Sequence, residues 1–164
     1  MVIWITGRPA SGKTTLAKRL VVALEARGHR ATLIDSDEVR AVITPHPTYS
    51  PEERSIVYRA IAYLARRASE WSVVPVVAAT AHDPELRAAA RAIVPDMLLV
   101  HARCPLSVCE ARDPKGLYRR ARANPVGAMP GIHVPWFEPD DADVVIDTDR
   151  EVTDAELAAV VTRV

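Results

Sequence analysis

Short, unbroken apolar runs alternate along the chain with longer stretches in which apolar residues recur every three or four positions. The runs are VIWIT (2–6), ATLID (31–35), VVPVVAA (73–79), MLLVHA (97–102) and VVID (144–147). Runs this short, rich in β-branched residues and without polar alternation, suit strands buried on both faces. A helix is predicted from about Thr14, with Leu16, Leu20 and Leu24 along one side and a stop near Gly28. SPEER predicts another start, in which Ser50 caps, Pro51 occupies the first turn and Glu53 completes a capping box; this helix runs to about Ser69. Asp83 and Pro84 launch a helix through ELRAAARAI, and Thr153 with Glu156 begins a closing one. Pro75 removes a ladder donor near the start of the third strand. Strand and helix thus alternate from end to end, which predicts a parallel sheet covered by helices.

One stretch breaks the alternation. DPKGLYRRARANPVGAMPGIHVPWFEPDD, between the fourth and fifth strands, is basic at its start and rich in proline and glycine later. A segment of about 30 residues without regular pattern is uncommon in a compact domain unless it serves as a lid or binding loop.

Composition narrows the function classes. With 164 residues, 49% of them hydrophobic, the chain suits one domain with one core. Lysine plus arginine total 21, as do aspartate plus glutamate, so the chain carries no net charge and no extended track for nucleic acid. No apolar run approaches the roughly 20 residues a bilayer requires. Cys104 and Cys109 lack CxxC partners, which argues against a zinc site or a disulfide framework, and the five histidines show no paired metal spacing. VIWIT follows the first residue without a basic leader, so a cytoplasmic protein is the expectation.

The chemistry starts at residues 7–15, GRPASGKTT. Gly7-x-x-x-x-Gly12-Lys13-Thr14 matches the phosphate-binding Walker A pattern and stands between a predicted strand and a predicted helix, the context that pattern requires. Gly7, Ala10, Ser11, Gly12, Lys13, Thr14 and Thr15 are the expected ATP-binding set. Backbone N–H groups and the helix N-terminus would cradle phosphate oxygens, Lys13 would reach the β- and γ-phosphates, and Thr14 would ligate Mg2+. At the end of the second strand, LIDSDEVR offers Asp35 as a second Mg2+ ligand and Asp37 as the carboxylate that orients or deprotonates an attacking hydroxyl. Capping of the next helix is the rival reading for this pair. Arg40, one turn on, is placed to meet an anionic acceptor. Arg119, Arg120 and Arg122 would stabilise charge on lid closure, or else form a solvated helix face. Arg112 is placed to stack on the ATP adenine, or else to pair with Glu110 or Asp113.

Taken together, GRPASGKTT, LIDSDEVR, YSPEER and above all PLSVCEARDPKGLYRRARA resemble the adenylylsulfate kinase family, whose members use ATP to phosphorylate the 3′-hydroxyl of adenosine 5′-phosphosulfate. The resemblance runs from Val2 to about Thr148. It implies a three-layer α/β P-loop kinase fold, with a five-stranded parallel sheet flanked by helices and a lid at about 113–135. It further implies an anionic nucleotide as acceptor, with Arg40 and Arg54 gripping the phosphosulfate, Lys115 bordering the acceptor site, and Tyr49, Met129 and Ile132 beside the acceptor's adenine. Core packing is the rival reading for Tyr49. A homodimer is also implied.

The chain departs from the family pattern mainly where the acceptor would sit. Ser36 and Glu38 replace a glycine and an asparagine, Val57 an asparagine, and Thr80-Ala81-His82-Asp83 an Ile-Ser-Pro-Tyr. The serine that could have carried a phosphoryl group is Ala81 here, leaving direct in-line transfer. A kinase acting on another nucleotide or hydroxylated metabolite stays open on these residues, as does a nucleotide-dependent switch.

Overall fold

The computed structural model describes residues 1–164. In chain order the elements are β1 (Val2–Thr6), α1 (Lys13–Glu25), β2 (Ala31–Asp35), α2 (Ser36–Ile43), α3 (Pro51–Glu70), β3 (Val74–Ala78), α4 (Pro84–Ile93), β4 (Met97–Arg103), α5 (Leu106–Arg112), α6 (Leu117–Ala123), β5 (Val144–Asp147) and α7 (Asp154–Val161). The strands form one parallel sheet in the order β2-β3-β1-β4-β5. All five apolar runs are therefore strands, and the sheet is flanked by helices as the alternation requires.

β1 shows why an unbroken apolar run was needed. It lies between β3 and β4, and its first four residues are all 0% exposed. Ile3 and Ile5 face the layer of α1 and α7, with Leu16, Leu20, Leu24 and Leu157. Val2 and Trp4 face the layer of α3 and α4, with Val57, Tyr58, Ile61 and Leu86. Full burial of such side chains stabilises by about 1.5–3 kcal/mol each, so a polar residue on either face of β1 would be costly. Pro75 is tolerated because β3's pairing with β1 begins one residue later, at Ile3 with Val76.

The helix starts follow their caps. Asp83 accepts from the Glu85 N–H at 2.8 Å to open α4, and Thr153 and Glu156 make the full reciprocal box of α7. Only half of the expected box forms at α3. Ser50 Oγ accepts from the Glu53 N–H at 3.2 Å, but the Glu53 carboxylate turns to Thr48, Tyr49 and Arg40, where it meets two backbone N–H groups and a guanidinium.

The stretch after β4 is more ordered than its composition suggested, since it contains α6. Asp113 lies outside that helix yet accepts from the N–H groups of Tyr118 and Arg119 at 3.1 and 3.0 Å, while Gly116 supplies the left-handed turn (φ 63°) between them. No helix is long and apolar enough to cross a membrane.

Thr153→Ala removes the α7 box. Its expected effect is a loss of about 1 kcal/mol in urea unfolding and a melting temperature lower by roughly 2–4 °C.

Candidate functional site

β1 ends at Thr6, and the chain turns at once through residues 7–12 into α1, at the sheet's switch point between β3 and β4. Crevices at that place, outside the carboxyl ends of the strands, are where open α/β sheets take their ligands. Gly7 is sterically required: a Cβ there would lie 2.6 Å from Ser11 Oγ and 2.7 Å from the Ala102 carbonyl. Gly12 takes φ 91° at the helix cap, and Ala10 a left-handed φ of 59°. Ser11 is wholly buried, its Oγ without a partner, while Thr14 and Thr15 open α1 exposed.

Lys13 folds back over the loop, donating to the carbonyls of Gly7 and Arg8 at 2.9 and 2.7 Å. Although the residue as a whole is half-buried, enclosure of its ammonium pulls the pKa down to about 8; Asp37 and Asp35 offset part of that fall. Thr14 Oγ1 donates to Asp35 Oδ2 at 2.7 Å, and Asp35 Oδ1 accepts from the Asp37 N–H at 2.8 Å. Asp35 therefore caps α2, as the rival reading had it, and still keeps one oxygen at the loop. A hydroxyl and a carboxylate oxygen converging at the mouth of a phosphate loop are hard oxygen donors of the kind Mg2+ takes beside phosphates. No cluster of three or more histidine, cysteine or acidic side chains competes as a metal centre.

Asp37 sits in the first turn of α2, exposed, and Lys115 reaches it from the segment before α6, Nζ to Oδ2 2.6 Å. That contact raises the Lys115 pKa. A second cluster lies beside it. Arg40 and Arg54 stand over the Tyr49 ring at 4.9 and 5.5 Å, and Glu53 holds Arg40 at 2.7 Å. Arg54, 7% exposed, donates to the carbonyls of Tyr49 and Ala128, so α3 and the segment 124–135 meet there. Burial lowers the Arg54 pKa, but a guanidinium stays charged. Met129 and Ile132 are half-buried against Cys104, Cys109 and Tyr118.

The basic run is divided. Arg120 donates to the Lys115 carbonyl at 2.8 Å and Arg119 lies exposed beside it. Arg122 is not brought to the cleft, because Glu110 holds its guanidinium at 2.6 Å. Arg112 forms no ion pair with Glu110 or Asp113; its Nη1 lies 3.7 Å from Cys104 Sγ. Cys104 in turn lines a groove of about 440 Å³ beside the loop, with Arg8, Leu106, Glu138 and Asp147.

Two links had no local sequence signal. Tyr118 Oη donates to the Pro9 carbonyl at 3.0 Å, tying α6 to the phosphate loop. Arg8 bonds Glu138 at 3.0 Å and stands 5.1 Å over Trp136. Each joins residues whose partners only the fold brings near.

Comparison with known proteins fits this geometry. The family described as adenylylsulphate kinase matches residues 1–147. The chain is 39% identical over 149 residues to a probable adenylyl-sulfate kinase of Archaeoglobus fulgidus, covering 91% of this chain and 96% of that protein. It is 39% identical over 166 residues to an adenylyl-sulfate kinase of Paraburkholderia xenovorans, covering 98% and 93%. Among solved structures it is similar to the Mycobacterium tuberculosis APS kinase in complex with AMPPNP and APS, with a TM-score of 0.91 at 28% identity over 99% of this chain and 97% of that one.

Because Lys13 must be charged to hold a triphosphate and its pKa is about 8 in the free protein, binding above that pH requires proton uptake. The affinity for ATP should fall by up to about tenfold per pH unit above 8 and level off below. Titration calorimetry checks this; Lys13→Ala should bind weakly and show no such slope.

Proposed function

The chain belongs to the adenylylsulphate kinase family, and from that premise we propose that it transfers the γ-phosphoryl of ATP to the 3′-hydroxyl of adenosine 5′-phosphosulfate, giving 3′-phosphoadenosine 5′-phosphosulfate and ADP. The observation that carries the reading is the meeting of a phosphate loop, through Asp35, with a carboxylate at Asp37 and an Arg40–Tyr49–Arg54 cluster beside it.

Donor roles fall to residues 7–15. Loop N–H groups and the α1 N-terminus hold the phosphates, while the Lys13 ammonium exchanges its loop carbonyls for β- and γ-phosphate oxygens. Mg2+, held through Thr14 and Asp35, would neutralise charge between those two phosphates. The groove lined by Cys104 and Leu106 suits the ATP base, with Arg112 at its edge. Arg119 and Arg120 supply further positive charge at the lid.

Acceptor roles fall to the other side. Arg40 and Arg54 offer two guanidinium groups to the phosphosulfate, and Tyr49, Met129 and Ile132 offer apolar area to the purine. Asp37 accepts the 3′-hydroxyl proton as the new O–P bond forms and the bond from the γ-phosphorus to the β-phosphate bridge oxygen breaks, with ADP leaving. Lys115, pairing with Asp37 from the lid, fixes that carboxylate's orientation. Residues 113–135 act as the lid that excludes water, a competing acceptor. A homodimer belongs to the same reading and is supported by Ile56 and Tyr63, which stand exposed two helical turns apart on α3.

A panel of nucleosides, sugars and adenylylsulfate in a coupled ADP-release assay tests the acceptor. Adenylylsulfate alone should stimulate turnover strongly; turnover confined to another hydroxyl compound would overturn the proposed acceptor. Lys13→Ala should abolish activity. Asp37→Asn should lower kcat by about 10²–10⁴-fold with the KM for ATP nearly unchanged, and a normal rate would remove Asp37 from the chemistry.

A further inference from the structure

The turn after β3 is fixed from three directions. Ala81 holds φ 38°, in the left-handed region that residues with a Cβ seldom adopt. Such conformations cost about 1–3 kcal/mol and persist only where the surroundings enforce them. Here they do. The Ala81 N–H donates to Tyr58 Oη at 2.9 Å, the Ala81 carbonyl accepts from Arg87 Nη1 at 3.0 Å, and the His82 carbonyl accepts from the Phe137 N–H at 3.0 Å. α3, α4 and the segment beyond the lid thus hold a strained backbone whose effect is to set one side chain, His82.

That side chain is left without a partner. His82 is 7% exposed, and its Nδ1 is buried with no hydrogen bond. A buried polar atom left unpaired costs about 1–3 kcal/mol, a cost that a leucine at this position would avoid. Trp4 Nε1 is also unpaired, but Trp4 lies mid-strand in β1, sealed at 0% exposure against Tyr58. His82 instead follows β3 at the carboxyl edge of the sheet, where ligands are taken. Among charged groups, Arg54 of the acceptor-side cluster acts on its ring most strongly.

We propose that His82 is a specificity-determining residue of the acceptor site, its imidazole hydrogen-bonding an uncharged edge of the acceptor, purine or ribose, while Arg40 and Arg54 take the anionic end. This rests on the reading that the Arg40–Tyr49–Arg54 cluster receives the acceptor. Burial, with Arg54 and Arg87 nearby and only Asp83 opposing them, brings the His82 pKa down to about 4. The ring is therefore neutral above that pH, with one nitrogen free to donate and the other to accept. A neutral partner suits an uncharged group and adds no repulsion to the arginines.

His82→Leu and His82→Asn separate this role from a merely structural one. For His82→Leu, the KM for adenylylsulfate should rise about tenfold, as loss of one hydrogen bond implies. Its kcat and its KM for ATP should stay within about twofold, and its melting temperature should be unchanged or higher. His82→Asn, which restores a hydrogen-bonding atom, should recover most of the acceptor KM. An unchanged acceptor KM in His82→Leu overturns the proposal, as does a lowered melting temperature with both KM values moving together and no rescue by asparagine. Wild-type protein that fails to turn over adenylylsulfate contradicts the proposed function rather than this inference; the same two variants are then read, by the same criteria, on whichever acceptor the panel identifies.

Discussion

The carboxylate of Asp35 is the joint that the site depends on. It ends β2, is 8% exposed, and divides its two oxygens between the Thr14 hydroxyl of the phosphate loop and the Asp37 N–H at the start of α2. The phosphate loop and α2 are thereby held by one side chain anchored in the sheet, where Asp35 pairs in register with Ala78 of β3. A helix cap is worth about 1 kcal/mol, a modest stabilisation. Its larger consequence is geometric: the cap fixes the direction of α2, and the direction of α2 fixes where Asp37 and Arg40 stand.

Around that joint the segment after β4 is held by four separate contacts, two of them exposed and two part-buried. Tyr118 meets Pro9, Lys115 meets Asp37, the carbonyl of Ala128 meets Arg54, and Glu138 meets Arg8. Exposed ion pairs such as Lys115–Asp37 contribute only about 0–1 kcal/mol each. The two exposed pairs can therefore part at small cost. The core that carries the site is of another kind, since β1 and the two helical layers on it pack through buried, mostly apolar side chains.

Much of this was legible from residue order because it is local. Continuous apolar runs identify strands buried on both faces; Asp83 and Thr153 identify helix starts by chemistry completed within three residues; and the spacing of Gly7, Gly12, Lys13 and Thr14 is itself the geometry of a phosphate loop. What escaped is what the chain closes at a distance. α6 is capped by Asp113 from outside the helix, Glu53 leaves its own helix start for Thr48 and Arg40, and Arg122 is drawn to Glu110 twelve positions earlier. Val57 and Ala81 stood out as departures near the acceptor, yet both are wholly buried in the core under α3. His82, in the same replaced stretch as Ala81, is the departure that keeps an unpaired polar atom.

On the proposed function, the carboxylate that Asp35 positions, Asp37, faces the hydroxyl that receives the phosphoryl group. A crystal structure of the protein with Mg2+, a non-hydrolysable ATP analogue and adenylylsulfate measures this directly. An Asp37 carboxylate oxygen is expected within about 2.6–3.2 Å of the acceptor's 3′-oxygen, with that oxygen in line with the γ-phosphorus. An acceptor hydroxyl pointing away from Asp37, or held by another side chain with Asp37 still paired only to Lys115, would contradict it.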